Sequence, residues 1–303
     1  MIGRYNAPIG RERETALGPI TMPELPEVET VARGLNRTIR GQRIAWVHLT
    51  RSDVLHGDPR PLCAMIAGQV VRRVGRRGKR VILELGESDR LIVHLGMSGR
   101  LTAVRETEPI EAHTHLRVGF DGTDRQLRYC DPRRFGGVWY LTDAGETMGR
   151  KLAPLGIEPL ELKIETFLQF LRRHKQIKAL LLDQHLLSGM GNIYCDEALF
   201  KAKIHPATVA SRIRPDRADR LLAEMKETLR AAIRAKGSTI GDYRQSTGEA
   251  GGFQNAHQVY GRQGQACGRC GRTIRRILVA GRSTHVCPNC QRAPGRGPRS
   301  AHR

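Results

Sequence analysis

Met22-Pro23-Glu24-Leu25-Pro26-Glu27-Val28-Glu29-Thr30 is the stretch on which the reading of this 303-residue chain turns. It supports two readings. In one it is a helix entry: Pro26 takes the first helical position, and Glu27 and Glu29 fall in the first turn, where the helix dipole favours acids. Val28, Val31, Leu35 and Ile39 then recur at helical spacing, and Gly41 closes the run. In the other reading the stretch holds a true N-terminus inside the printed one. A Met before a small residue is the kind of start whose Met is removed, and removal here would expose the secondary amine of Pro23. A free α-amino group titrates near about 7.7–8.0, so a useful fraction is nucleophilic at neutral pH. Condensed with a sugar carbon, a proline nitrogen becomes an iminium, cationic without further protonation and therefore a standing electron sink. Glu24 beside it is placed to handle protons. Taken alone, the stretch favours the plain helix entry.

Lysine and arginine number 51 against 30 acids, a formal charge of +21, so a polyanion is the expected partner. An acidic membrane surface is the rival. No apolar run approaches the ~18 residues that a bilayer span needs, and no signal peptide is visible. The length suits two domains plus an appendage, and 39% hydrophobic residues support real cores. Cys63, Cys130 and Cys195 are scattered while four further cysteines cluster late, which points to metal in a reducing compartment rather than disulfides. A cytosolic or nucleoid monomer is expected.

Residues 1–21 show no amphipathic period and read as disordered, either an upstream start or a real extension, the former being favoured. From Gln42 to Tyr140 the period drops to two. Val81, Leu83 and Leu85 alternate, then Leu91, Val93 and Leu95, then Leu116, Val118 and Phe120, which Asp121-Gly122 turns toward Leu127 and Tyr129. This predicts a two-sheet β-sandwich behind the N-terminal helix, over 22–150. Inside it, Arg72 to Arg80 reads as a solvated basic turn, or for most of its arginines a loose phosphate contact. Two loops are chemically odd: His94 to Gly99 carries Met97 on a Gly-flanked tip, and Asp131 to Gly137 pairs Arg133 and Arg134 with Phe135. Exposed wedges beside guanidinium groups suit a protein that fills the gap left by an extruded nucleotide.

Pro154, Gly156 and Pro159 mark the way into a helical region, 151–256. Phe167 to Leu181 carries helical spacing broken by Arg172-Arg173-His174-Lys175, and a clearer helix runs from Pro215 through Leu221, Met225 and Leu229 to Gly237. Between them, Gly189-Met190-Gly191-Asn192 leads into a helix whose first amides, with Asn192, can hold a phosphate. Alone that pattern is weak and more often a plain helix entry. Cys267-x2-Cys270, sixteen residues, then Cys287-x2-Cys290 is the four-thiolate zinc spacing, with Thr273–Val279 and Thr284–Val286 as arms of a β-hairpin within 257–291. One structural Zn²⁺ is expected. Nine arginines and no acid follow Cys267, so the module is strongly basic, and 292–303 reads as a disordered basic tail.

The string MPELPEVET resembles the start of the formamidopyrimidine-DNA glycosylases, and RRGKRVILEL, the two odd loops, the Gly-x-Gly-Asn turn and the cysteine module follow in that family's order. The resemblance spans roughly 23–291. It implies an α+β architecture of sandwich, helix–two-turn–helix domain and zinc hairpin, and a bifunctional enzyme acting on oxidised purines in double-stranded DNA. It implies Pro23 as nucleophile, Glu24 as proton handler, Lys79 as a partner in base release and β-elimination, and Arg282 at the second elimination. It also implies Met97, Arg133 and Phe135 as the wedge, with His113, Asn192 and Arg173 as DNA contacts, the offset at Arg173 being the least secure. Residues 237–261 resemble a loop closing over the flipped base. Two alternatives stay open: an endonuclease VIII-like enzyme for oxidised pyrimidines, and an inactive zinc/helix DNA-binding protein should residues 1–21 persist and leave Pro23 an amide.

Overall fold

Glu24 is held in an extended conformation (φ −101°, ψ −171°), and from it helix α1 runs Leu25–Ile39. Pro26 stands second rather than first in the helix, still where no N–H is needed. Glu27 reaches back to accept the Glu24 N–H at 2.9 Å, the return arm of a capping box. Arg40 leaves the helical region, and Gly41 at φ +81° turns the chain. The computed structural model of the protein describes residues 22–56, 62–142, 154–239, 245 and 249–294. The extension 1–21, residues 240–244 and 246–248 of the Gly/Ser/Thr-rich stretch, and 295–303 of the basic tail lie outside them.

The alternation between 42 and 140 becomes eight strands: β1 (Ile44–Leu49), β2 (Val71–Arg77), β3 (Arg80–Leu85), β4 (Asp89–His94), β5 (Arg100–Arg105), β6 (Thr114–Phe120), β7 (Arg125–Cys130) and β8 (Gly137–Leu141). They form two antiparallel four-stranded sheets, β1-β6-β7-β5 and β2-β3-β4-β8. Val81, Leu83, Leu91, Val93, Leu116, Val118, Leu127 and Tyr129 meet between the layers with Val28, Val31, Leu35 and Ile39 of α1. Each such fully buried side chain stabilises by roughly 1.5–3 kcal/mol before entropy is counted.

The helical region is built from α3 (Ile164–Leu171), α4 (Ile177–Leu181), α5 (Asn192–Lys201) and α6 (Pro215–Arg234); α2 (Leu62–Ile66) lies between β1 and β2. Leu25 belongs to this second core rather than to the sandwich, so α1 is shared by both domains at its first residue. The last element is a hairpin, β9 (Arg275–Val279) and β10 (Arg282–Val286). Its arms differ from the predicted ones: Ala280 and Gly281, both at positive φ, make a two-residue turn, so Arg282 opens β10 instead of sitting in the turn.

Within the basic run 72–80, Arg72 and Arg73 are exposed, but Arg76, Arg77 and Gly78 depart from the solvated reading. Arg76 pairs with Glu29 at 2.8 Å and with Glu158 at 2.8 Å, and Arg77 pairs with Glu158 at 3.0 Å. Arg77 also donates to Ser188 Oγ and the Gly156 carbonyl, and the Gly78 N–H donates to Glu158. Although burial raises the Glu158 carboxyl, the Arg76 and Gly78 hydrogen bonds outweigh it and hold the group below its usual range. The β2–β3 turn is therefore a latch between the domains. Among the described residues no helix is long and apolar enough to cross a membrane.

Candidate active site and nucleic-acid interface

Glycine decides how the chain's first described turn meets the second domain. The Leu25 N–H donates to the Gly189 carbonyl at 3.0 Å, and Gly189 sits at φ +93° against the Leu25 side chain. A Cβ on Gly191 would stand 2.1 Å from the Glu24 carboxyl carbon, so only glycine lets that carboxylate lie over the start of α5. There Glu24 Oε1 accepts the Ile193 N–H at 2.9 Å and Oε2 the Tyr194 N–H at 3.4 Å. The amides that the sequence offered to a phosphate are thus occupied by the chain's own carboxylate. Asn192 instead donates from Nδ2 to the Ser283 carbonyl of the zinc hairpin at 2.9 Å.

Burial dominates the titration of Glu24, and the Glu27 carboxylate adds to it; Lys79 and the two α5 amides pull the other way. The balance pushes Glu24 up to about 7. Lys79 lies within the field of Glu24, Glu27 and Arg282, and desolvation, helped by the Arg282 guanidinium, lowers its pKa. Glu24 at the entry to α1, Lys79 in the β2–β3 turn and Arg282 in the zinc hairpin thus share one electrostatic neighbourhood, with Pro23 next to Glu24 in the chain. Pro23 is buried and still bonded to Met22.

The two odd loops touch. A Cβ on Gly96, at φ +63°, would fall 2.4 Å from the Gly136 nitrogen. Buried Asp131 holds both loops, accepting from Ser98 Oγ at 2.6 Å, Tyr129 OH at 3.1 Å and the Gly136 N–H at 2.9 Å. On this frame Phe135 is 57% exposed, with the Arg133 guanidinium stacked 4.7 Å from its ring centre. Met97 is half-buried on the neighbouring tip. Arg134 turns away to pair with Asp53 at 2.6 Å. His113 is exposed at φ 64°, its carbonyl accepting the Asp131 N–H, which places it at the base of the same loop. Arg173 is exposed after α3, lies over the Phe170 ring and donates to the Phe170 carbonyl at 3.4 Å, apart from these groups.

All four late cysteine sulfurs lie within 4.8 Å of one another, with Cys270 and Cys287 at 3.4 Å and Cys267 and Cys290 at 4.0 Å. A tetrahedron with Zn–S bonds of about 2.3 Å has edges of about 3.8 Å, so the sulfurs fit one zinc ion.

Several groups escaped the sequence reading. Glu27 accepts from Tyr194 OH and, at 2.7 Å, from the Ser238 N–H, tying the helix entry to the root of the Gly/Ser/Thr-rich stretch. The spacing Glu24-x-x-Glu27 was its available signal. Lys178 is fully buried and donates to Asp196 at 2.6 Å, Thr284 Oγ1 at 2.7 Å and the Ser283 carbonyl at 3.2 Å. Asp196 in turn accepts the His285 N–H at 2.8 Å. Glu197 takes the backbone N–H groups of Gln258, Val259 and Tyr260. A lysine and two acids inside apolar helical runs were the signal there, since such charges stay buried only when paired.

An acid–amine cluster where the entry to α1 meets α5, an exposed aromatic–guanidinium pair and a basic four-cysteine hairpin together define a class of DNA-processing enzyme. Three family profiles cover the chain in order: the formamidopyrimidine-DNA glycosylase N-terminal domain at 22–138, its H2TH domain at 155–244, and the zinc finger found in FPG and IleRS at 264–293. The formamidopyrimidine-DNA glycosylase of Solibacter usitatus is 43% identical over 274 residues, covering 89% of this chain and 100% of that one. Its counterpart from Geobacillus kaustophilus is 42% identical over 280 residues, with 89% and 100% covered. The Lactococcus lactis Fpg in complex with abasic-site DNA superposes with a TM-score of 0.82 at 38% identity, over 89% of this chain and 100% of that one. The chain belongs to the formamidopyrimidine-DNA glycosylase family.

Proposed function

We propose that this chain excises oxidised purines, 8-oxoguanine and formamidopyrimidines, from damaged double-stranded DNA and then nicks the strand as an AP lyase. The observation that supports this reading is the gathering of Glu24, Lys79 and Arg282 around the Pro23 segment from three distant parts of the chain. Pro23, freed of Met22, attacks C1′ of the extruded nucleotide. The C1′–N bond breaks with its electron pair leaving on the base, and Glu24, poised between protonation states, exchanges protons at the sugar. The attacking nitrogen gives up its proton and its lone pair then expels O4′, which Glu24 protonates, so the sugar ring opens and C1′ becomes the iminium carbon. The iminium makes the C2′ proton acidic; its loss expels the 3′ phosphate, and a second elimination expels the 5′ phosphate. Lys79, its basicity lowered by burial, serves base release and the first elimination, and Arg282 serves the second. Zinc takes no part in these steps: Cys267, Cys270, Cys287 and Cys290 hold it so that the hairpin carries Arg282. The protein acts as a monomer in the nucleoid, with domains at 22–150, 151–256 and 257–291. Cleavage of an 8-oxoguanine:C duplex well above a thymine glycol:A duplex tests the reading. Preference for thymine glycol would favour the endonuclease VIII-like alternative.

Two further outcomes belong here. Cys287→Ser should lose both the metal and lesion cleavage while the sandwich stays folded, because the hairpin core is small: Phe200, Val259, Ile274, Cys267 and Cys287, with Cys290 against them. Metal analysis beside a cleavage assay checks this, and full activity without metal would contradict it. Phe135→Ala should weaken lesion processing and leave the salt dependence of binding to undamaged duplex unchanged, since it removes stacking and no phosphate contact. Arg282→Ala should lower that salt slope by about one unit on every sequence and stall the reaction after β-elimination. A salt titration of both variants, with a gel separating β from β,δ products, decides it. A flattened slope for Phe135→Ala alone would reverse the two assignments.

A further inference from the structure

We propose that the groove between α1 and β2 is a second tract for the phosphate backbone, gripping the arm of the same duplex that extends beyond the catalytic cleft. The proposal rests on the reading of DNA as partner. The groove encloses about 340 Å³ and is lined by Arg33, Arg37, Arg73 and Arg76 against a single carboxylate, Glu29. Glu29 is already engaged twice, by Arg33 at 2.6 Å and Arg76 at 2.8 Å, so it does not neutralise the other two arginines. Arg37 has no ion pair among the described residues, and Arg73 meets Glu84 only at 3.7 Å with both side chains largely exposed.

The shape is fixed by contacts that do not use these charges. Asn36 Oδ1 accepts the Val74 N–H at 2.8 Å and ties helix to strand across the groove. Gly75 forms part of the floor, where an added Cβ would lie 3.9 Å from the Arg73 guanidinium carbon, so the guanidinium lies back over the groove. Arg33 and Arg37 are one turn apart on the open face of α1, about 6 Å along its axis, which covers the rise of roughly two nucleotides at 3.4 Å each. Nothing in the cleavage chemistry calls on Arg37 or Arg73, and exposed guanidinium groups on a rigid frame are suited to phosphate. The two arginines not held by Glu29, Arg37 and Arg73, flank the Asn36–Val74 bond roughly 18–20 Å along α1 from Glu24, level with the duplex arm about six base pairs from the lesion.

The experiment compares wild type with the Arg37→Ala/Arg73→Ala double variant on lesion duplexes of about 10 and about 30 base pairs, which reach roughly 17 and 50 Å to either side of a central lesion or less. On the long duplex the variant should lose about two units of salt slope and on the order of 30-fold in affinity at 0.15 M salt, at 1:1 stoichiometry. On the short duplex its affinity and single-turnover cleavage should match wild type, and Arg37→Lys/Arg73→Lys should restore the long-duplex slope. An unchanged long-duplex slope would overturn the proposal. So would an equal loss on both lengths, which would put the groove inside the lesion cleft, or a loss seen only when a second duplex is bound. Failure of the wild type to cleave either duplex would instead count against the DNA-repair reading itself.

Discussion

Protein beginning at Pro23 should nick a lesion-bearing duplex, and the same chain still carrying Met22 should not, the difference being on the order of 10³-fold or more. With Met22 attached, the Pro23 nitrogen is a tertiary amide whose lone pair is delocalised into the carbonyl and cannot condense with C1′. The loss should be chemical rather than structural. The contacts that seat this segment begin at the Glu24 N–H and the Leu25 N–H, one to Glu27 and one to Gly189, and neither involves Met22. Both forms should therefore melt together and bind undamaged duplex alike. Strand scission measured on the two forms side by side is the check. Equal nicking by the Met22-bearing chain would remove Pro23 as the nucleophile.

Glu24→Gln should lower base excision by about 10²–10⁴-fold while making the protein more stable above neutral pH. In the chain that carries Met22, Glu24 is 3% exposed and its carboxyl is raised from 4.5 to about 7, chiefly by burial. Between those two values the folded protein keeps a proton that the unfolded chain has lost, so stability falls as pH rises through that window. Above about pH 7 the ionised Glu24 costs up to about 3 kcal/mol, and a neutral glutamine escapes that term. Below pH 4.5 the two proteins should differ little. Thermal melts of the Met22-bearing chain at pH 4.5 and pH 8, beside a cleavage assay on Pro23-initiated protein, test the two halves. A variant less stable than wild type at pH 8 would show that the hydrogen bonds to Ile193 and Tyr194 outweigh the buried charge.

Much of the fold was legible because its signals are local. Alternation such as Val81-Leu83-Leu85 needs only one strand to declare a buried face, and the two Cys-x-x-Cys pairs carry their own coordination geometry. What stayed hidden depends on partners far apart in sequence. Nothing near Gly191 announces that its missing Cβ makes room for Glu24, 167 residues earlier. The run from Arg72 to Arg80 looks solvated until Glu158 arrives from the other domain, about 80 residues on, to take Arg76, Arg77 and the Gly78 N–H. Lys178 sits in an apolar helical run, but its partners Thr284 and Ser283 come from the zinc hairpin more than 100 residues on. Pairings of this kind also explain why the helix start at 191–192, read as an anion site, is filled from within.

The most direct test is to reduce the complex of Pro23-initiated protein and lesion duplex with borohydride and map the modified peptide by mass spectrometry. The expected adduct sits on the α-nitrogen of Pro23, in the peptide that continues Glu24-Leu25-Pro26. An adduct on the ε-nitrogen of Lys79, with Pro23 unmodified, would contradict the proposed chemistry and make the lysine the nucleophile.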